Sequence, residues 1–252
     1  MNPGAEGNRE RQLALYLTAE HSCSYLDGRR ARTLFVDPLV SIDAGTYQSL
    51  VDQGFRRSGA HVYRPACRGC ARCVPVRIPV SVFRPNRSQR RNWRVNAPQL
   101  RVVEAPAAFD PGHFDLYQRY LAHRHPAGTM AEDASAESYR RFLVDPWGGE
   151  TRFLELHLAD RLVGVAVTDW LPHGLSAVYT FFDPAFGARG LGTFAVLAQL
   201  VTARRLGLPY VYLGYWIEES GKMAYKSSFK PLEAWDGRCW SRLESTGNRD
   251  AE

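Results

Sequence analysis

The chain has 252 residues, 45% of them hydrophobic and 23% charged, an ordinary globular composition with enough apolar side chains for a buried core. No window approaches the roughly eighteen consecutive apolar residues of a membrane span, so no membrane partner is expected. A net charge of +6 favours anionic partners, and an odd number of cysteines with no apolar stretch after Met1 points to the cytoplasm, where disulfides rarely persist.

Residues 1–11 read as a loose N-terminus. A first unit over about 12–97 alternates short apolar runs with arginine and holds four of the five cysteines. Cys67, Cys70 and Cys73 lie at two-residue spacings that let thiolates converge on one centre, and Cys23 could supply a fourth sulfur, a set that suits Zn²⁺ or an iron–sulfur cluster. Reduced structural thiols are the plainer alternative. Next comes an arginine-dense segment in which Arg87, Arg90, Arg91 and Arg94 fall at i, i+3, i+4 and i+7, so a helix would gather them on one face. No carboxylate stands at helical spacing to balance them. Trp93, between them, is expected in the core.

Pro98 and the Ala105–Pro111 stretch bracket a short strand, Leu100–Glu104, at the boundary to a second unit over about 98–240. There His113–Arg124 and Ala136–Val144 have helical periodicity, with Asp110 and Ser135 as N-caps. Thr151–Leu158 and Leu162–Trp170 read as a hairpin, and Leu175–Phe182 as a third strand. The turn Gly187-Ala-Arg-Gly190-Leu-Gly192 opens an apolar helix, Thr193–Leu206. A strand at Pro209–Leu213, a short helix at Ser220–Ser227 and a last strand at Pro231–Trp240 follow. Cys239, alone on that last strand, is expected to be packed and not to join the other four thiols. The tail 244–252 reads as loose.

The fold class is therefore α/β (α+β), and the order of elements in the second unit resembles the GNAT acyltransferase fold. Gly190 and Gly192 sit where that fold's glycine-rich turn frees backbone N–H groups for a phosphate. Acetyltransferases of the fold usually begin this turn with Arg or Gln. Gly187 stands there instead, so coenzyme A is not expected.

Cys23–Phe35, Gly54–Gly59, the cysteine run, Tyr179–Pro184, Tyr210–Ile217 and Lys222–Lys226 occur together in one order. This pattern resembles the bacterial aspartate/glutamate leucyltransferases, relatives of the eukaryotic arginyl-tRNA–protein transferases. The resemblance covers nearly all of 12–240 and implies transfer of leucine from leucyl-tRNA to proteins that begin with Asp or Glu, marking them for degradation. Eukaryotic relatives carry two cysteines three positions apart near the N-terminus; here the second position is Leu26.

The chemistry implied is attack of an α-amine on an activated ester, which asks for positioning and proton handling rather than a covalent intermediate. Asp183, at the end of the third strand, is a candidate to orient the ammonium or take its proton. Tyr225 is a candidate to protonate the leaving ribose oxygen. Arg56 and Arg57 are candidates for the acidic side chain, since guanidinium geometry suits a carboxylate. Lys222 and Lys226 stand second for that pocket or for the acceptor-end phosphates. The arginine helix face would contact tRNA. An arginyl-tRNA–protein transferase and a non-enzymatic, metal-containing RNA-binding module are the alternatives.

Overall fold

The computed structural model describes residues 13–124 and 134–243; the tails expected at 1–11 and 244–252 lie outside the described residues. The N-terminal part is a four-stranded sheet of β1 (Leu15–Leu17), β4 (Thr33–Val36), β6 (His61–Pro65) and β5 (Arg56–Ser58), in that spatial order, beside a two-stranded ribbon of β2 (His21–Ser22) and β3 (Arg30–Ala31). Helix α1 (Ala44–Asp52) starts at Asp43, whose carboxylate accepts from the Thr46 N–H at 2.7 Å. It buries Tyr47, Leu50 and Val51 among Trp147, Leu171 and Tyr212. The small sheet is thereby fastened to the larger body by apolar burial.

That body is an eight-stranded mixed sheet. Its order is β14 (Trp240–Arg242), β13 (Glu233–Trp235), β7 (Val74–Pro79), β12 (Tyr210–Trp216), β11 (Gly174–Phe182), β10 (Arg161–Leu171), β9 (Glu150–Leu158) and β8 (Leu100–Pro106). Successive side chains of a strand point to opposite faces, and β10 uses both. Val165 and Val167 pack with Leu116, Tyr117 and Leu121 of α3 (Pro111–Arg124) and with Tyr139 of α4 (Ala136–Tyr139), which runs on into a π turn, Arg140–Val144. Ala166 packs on the other face with Leu191, Phe194 and Ala195 of α5 (Leu191–Arg205).

The mixed helix-and-sheet class and most element positions agree with the sequence reading. Asp110 Oδ1 accepts from the Gly112 and His113 N–H groups at 2.8 and 3.0 Å, and Ser135 caps α4. Two differences stand out. The sheet does not divide near residue 98, because β7, from the first unit, is hydrogen-bonded between β12 and β13 of the second. The expected last strand is a hairpin instead of one run. Asp236 Oδ1 accepts from the Arg238 and Cys239 N–H groups at 2.7 and 2.8 Å, and Gly237 adopts φ +101°, so the chain reverses there. Cys239 is exposed in that turn rather than packed.

Candidate active site

Strands β11 and β12 run parallel and are paired only from Gly174–Ser176 to Tyr210–Tyr212. Beyond Ser176 they part. β12 continues along β7 alone, with a register shift between Tyr212 and Gly214. The Arg56 guanidinium enters this parting: its Nη2 donates to the Ala177 carbonyl at 2.6 Å. Gly214 has φ +77°, and a Cβ there would lie 2.6 Å from Arg56 Nη1, so only glycine admits the arginine. Arg56 is 9% exposed, and no carboxylate pairs with it among the described residues. Its Nη1 is buried without a hydrogen-bond partner.

A second cation stands beside it. Lys226, from the 3₁₀ turn Ala224–Ser228, is 7% exposed and donates from Nζ to the Tyr215 carbonyl of β12 at 2.5 Å. Burial, and then the neighbouring Arg56 charge, lower its pKa to about 7. Tyr215 and Tyr63 line the place, with ring centroids 6.2 Å apart, and the Tyr215 phenol donates to the Gly54 and Tyr63 carbonyls at 3.0 and 3.2 Å. Tyr225, half-exposed, has its ring centroid 6.0 Å from Lys226 Nζ.

The other candidates go elsewhere. Arg57 does not share the pocket of Arg56. It pairs with Asp169 through Nε at 2.7 Å and Nη2 at 2.5 Å, both side chains almost wholly buried, and its plane lies over Trp147. A guanidinium so occupied cannot also take a substrate carboxylate. Asp183 is engaged as well, by Arg119 at 2.8 Å and Arg161 at 2.5 Å, while its other oxygen accepts from the Ala185 N–H. Burial pushes its carboxyl up, but these hydrogen bonds outweigh that and hold it below the usual carboxylate range. It is a poor proton acceptor and a good turn anchor. Gly190 adopts φ +63° as it opens α5, and a Cβ there would meet Asn92 Nδ2 at 2.8 Å. Gly192 faces Phe182 at ordinary contact distance. These two glycines are explained by packing of the turn. Lys222 is exposed on the loop before the Lys226 turn.

Helix α2 (Arg87–Asn96), capped by a reciprocal pair of bonds between Asn86 and Gln89, joins these loops. At its start Asn86 and Gln89 both donate to the Ser228 carbonyl at 3.2 Å. Further along, Asn92 and Asn96 donate to the Arg189 carbonyl at 2.9 and 2.8 Å, and Trp93 stacks on Phe194 with centroids 5.2 Å apart. One helix thus ties the Lys226 turn to the glycine turn. Its outer face carries Arg87, Arg90, Arg91 and Arg94, all exposed, none ion-paired among the described residues. Sequence reading found this stripe but not the polar face that docks it.

The cysteine run occupies the loop between β6 and β7. The Cys73 thiol is pushed up to about 12 by burial and then by Cys23, Cys67 and Cys70, so the four sulfurs share one neighbourhood. Cys67 Sγ exchanges hydrogen bonds with the Arg32 backbone at 3.5 and 3.7 Å. Among the described residues no three His, Cys, Asp or Glu side chains are arranged to hold a metal ion. The loop adjoins the site: Arg72 pairs with Glu219 at 2.6 Å, and Cys73 acts electrostatically on both Tyr25 and Tyr63.

Comparison with known proteins places this arrangement. Family models described as arginine-tRNA-protein transferase, N terminus and C terminus, match residues 21–91 and 112–236. These models define the class, the aminoacyl-tRNA–protein transferases. Curated relatives named aspartate/glutamate leucyltransferase are similar over nearly the whole chain. The one from Chromohalobacter salexigens is 49% identical, with 96% of this chain and 98% of that protein covered. The one from Stenotrophomonas maltophilia strain K279a is 51% identical, with 95% and 96% covered. The chain belongs to the aspartate/glutamate leucyltransferase family and is an aminoacyltransferase. No helix among the described residues is long and apolar enough to cross a membrane.

Proposed function

We propose that this chain moves leucine from leucyl-tRNA to the N-terminal amine of cytoplasmic proteins that begin with Asp or Glu, marking them for the N-degron pathway. The observation that carries the reading is Arg56: a buried guanidinium with one terminal nitrogen unsatisfied and no carboxylate of its own among the described residues. Such a charge is costly unless a ligand completes it, and an acidic side chain does so with charge-assisted hydrogen bonds. A carboxylate held there would bring the substrate's α-amine toward Lys226 in the parting of β11 and β12. That parting, next to a glycine turn and α5, supports a GNAT-like acyltransferase reading in which the ester of leucyl-tRNA takes the place of an acyl thioester. Incubation with labelled leucyl-tRNA should label peptides beginning with Asp or Glu but not Ala; consumption of acetyl-coenzyme A with charged tRNA ignored would refute it.

The α2 arginines fit the donor. They stand on the helix that fastens both site loops, so a tRNA held by its phosphates across this face would present its acceptor end to the parting. Replacing Arg90, Arg91 and Arg94 together by Ala should weaken tRNA binding and flatten the slope of log affinity against log salt by about 2–3, read by filter binding across a salt series. An unchanged slope would return this face to solvent. Peptide affinity should stay as it is.

We further propose that Cys23, Cys67, Cys70 and Cys73 hold one Zn²⁺ or iron–sulfur cluster. The soft, clustered donors support it, although the thiols must draw closer than they stand. Bound there, the group would cross-link the β6–β7 loop to the turn bearing Tyr25, a structural service coupled to folding. Metal analysis of anaerobically purified protein should show loss of metal in Cys70→Ser and none in Cys239→Ser; full occupancy in Cys70→Ser would count against the site.

A further inference from the structure

We propose that Lys226 is the proton acceptor of the transfer, taking a proton from the incoming α-ammonium so that the amine can attack the ester. This assignment rests on the aminoacyl-transfer reading above and concerns the same site. Three observations carry it. The lysine is 7% exposed, no carboxylate pairs with it among the described residues, and the charge that acts on it is that of the cation Arg56. A buried ammonium in such surroundings gives up its proton. Two other well-buried cations show the contrast: Arg57 has Asp169, and Arg77 has Glu233 and Asp52 at 2.7 and 3.3 Å. A neutral amine that spends one N–H on the Tyr215 carbonyl keeps its lone pair for another hydrogen.

The groups around it leave the titration to Lys226. Arg56 comes from β5, Tyr63 from β6, Tyr215 from β12, Tyr25 from the turn after β2, and Tyr225 from its own turn. Burial pushes all four phenols up, so they stay neutral through the physiological range. Asp183, the carboxylate nearest in role, is held ionised by Arg119 and Arg161. Lys226, lowered to about 7, is poised where a general base works best.

The step balances as follows. The α-ammonium passes one proton to Lys226 Nζ. The freed nitrogen forms its bond to the leucyl carbonyl carbon. The tetrahedral centre then collapses by breaking the bond between that carbon and the ribose oxygen, which takes the second proton shed by the nitrogen. The third hydrogen remains on the new amide, and the proton on Lys226 leaves to water before the next turnover.

The test is chemical rescue. In Lys226→Ala, leucylated Asp-peptide should form about 100-fold or more slowly, the usual worth of a general base, while tRNA and peptide binding, measured separately by filter binding and calorimetry, persist. Small alkylamines added to this variant should restore formation of leucylated peptide, stronger bases restoring more. Lys226→Arg, which keeps the charge but cannot accept a proton, should be as slow as the Ala variant. Lys226→Met keeps the packing of the stem and serves should the Ala variant fail to fold. Parent-like rates in Lys226→Arg, or no rescue with both substrates bound, would overturn the assignment alone. A parent enzyme that moved no leucine would overturn the transfer reading, and the assignment with it.

Discussion

Changing Arg56 to Met is expected to lower kcat/KM for an Asp-peptide by about 30-fold to several thousand-fold, the loss of roughly 2–5 kcal/mol that accompanies truncation of one partner of a buried charge pair. The rate with an Ala-peptide, already slow, should hardly change, so discrimination between the two substrates collapses. The proposed cause is specific: Nη1 of Arg56 is a buried donor without a partner in the free protein, and an acidic side chain would complete it. Stability is a separate matter. Met removes an unpaired buried charge but strands the Ala177 carbonyl that accepted from Nη2, and these terms oppose each other. Steady-state kinetics with paired Asp- and Ala-peptides decide the point; an unchanged ratio would remove Arg56 from the pocket.

The next residue should behave in the opposite way. Arg57→Met is expected to destabilise the fold by about 3–5 kcal/mol, because it leaves a buried carboxylate without its cation. Asp169 is 0% exposed, accepts two bonds from Arg57, and takes a third from Thr151 Oγ1 at 2.8 Å. Against a typical total of about 5–15 kcal/mol this is a large share. Adding Asp169→Leu to Arg57→Met should recover much of the loss, since an apolar pair replaces the ionic one without stranding either charge. Urea denaturation of the two single variants and the double gives the coupling. Single variants that unfold within about 1 kcal/mol of the parent would show the pair to be dispensable.

These neighbours also show what the residues alone can and cannot disclose. Adjacent positions on a strand face opposite ways, but nothing local says which of Arg56 and Arg57 meets a carboxylate. Asp169, which settles it, is 112 residues away along the chain. Asp183 was legible as a turn residue, yet Arg119 and Arg161, which make it a poor base, come from α3 and β10. Local chemistry was readable where it acts locally: the caps at Asp110 and Ser135, the hairpin of β9 and β10, and the arginine stripe at helical spacing. Cys67, Cys70 and Cys73 were legible as a cluster, since their spacing is itself local. What depended on long-range pairing was not. The docking of α2 through Asn86, Gln89, Asn92 and Asn96 is one case, and the insertion of β7 between β12 and β13 is another. One missed signal was available. Gly214 interrupts an aromatic strand, and a glycine inside a strand marks a bulge or a close approach; here that approach is Arg56.

The proposed site has a division of labour. In this proposal Arg56 would select the acceptor, Lys226 would handle its proton, and the α2 arginines would hold the donor at the loops that α2 ties together. Tyr225, half-exposed beside Lys226, would in the same proposal meet the ribose of the leaving tRNA.

The most direct measurement is mass spectrometry of peptide products after incubation with an equal mixture of leucyl-tRNA and arginyl-tRNA. Peptides beginning with Asp, Glu and Ala are offered together. Leucine is expected on the N-termini of the Asp and Glu peptides, with no addition to the Ala peptide. Arginine on the products, or an Ala peptide acylated as readily as the acidic ones, would contradict it.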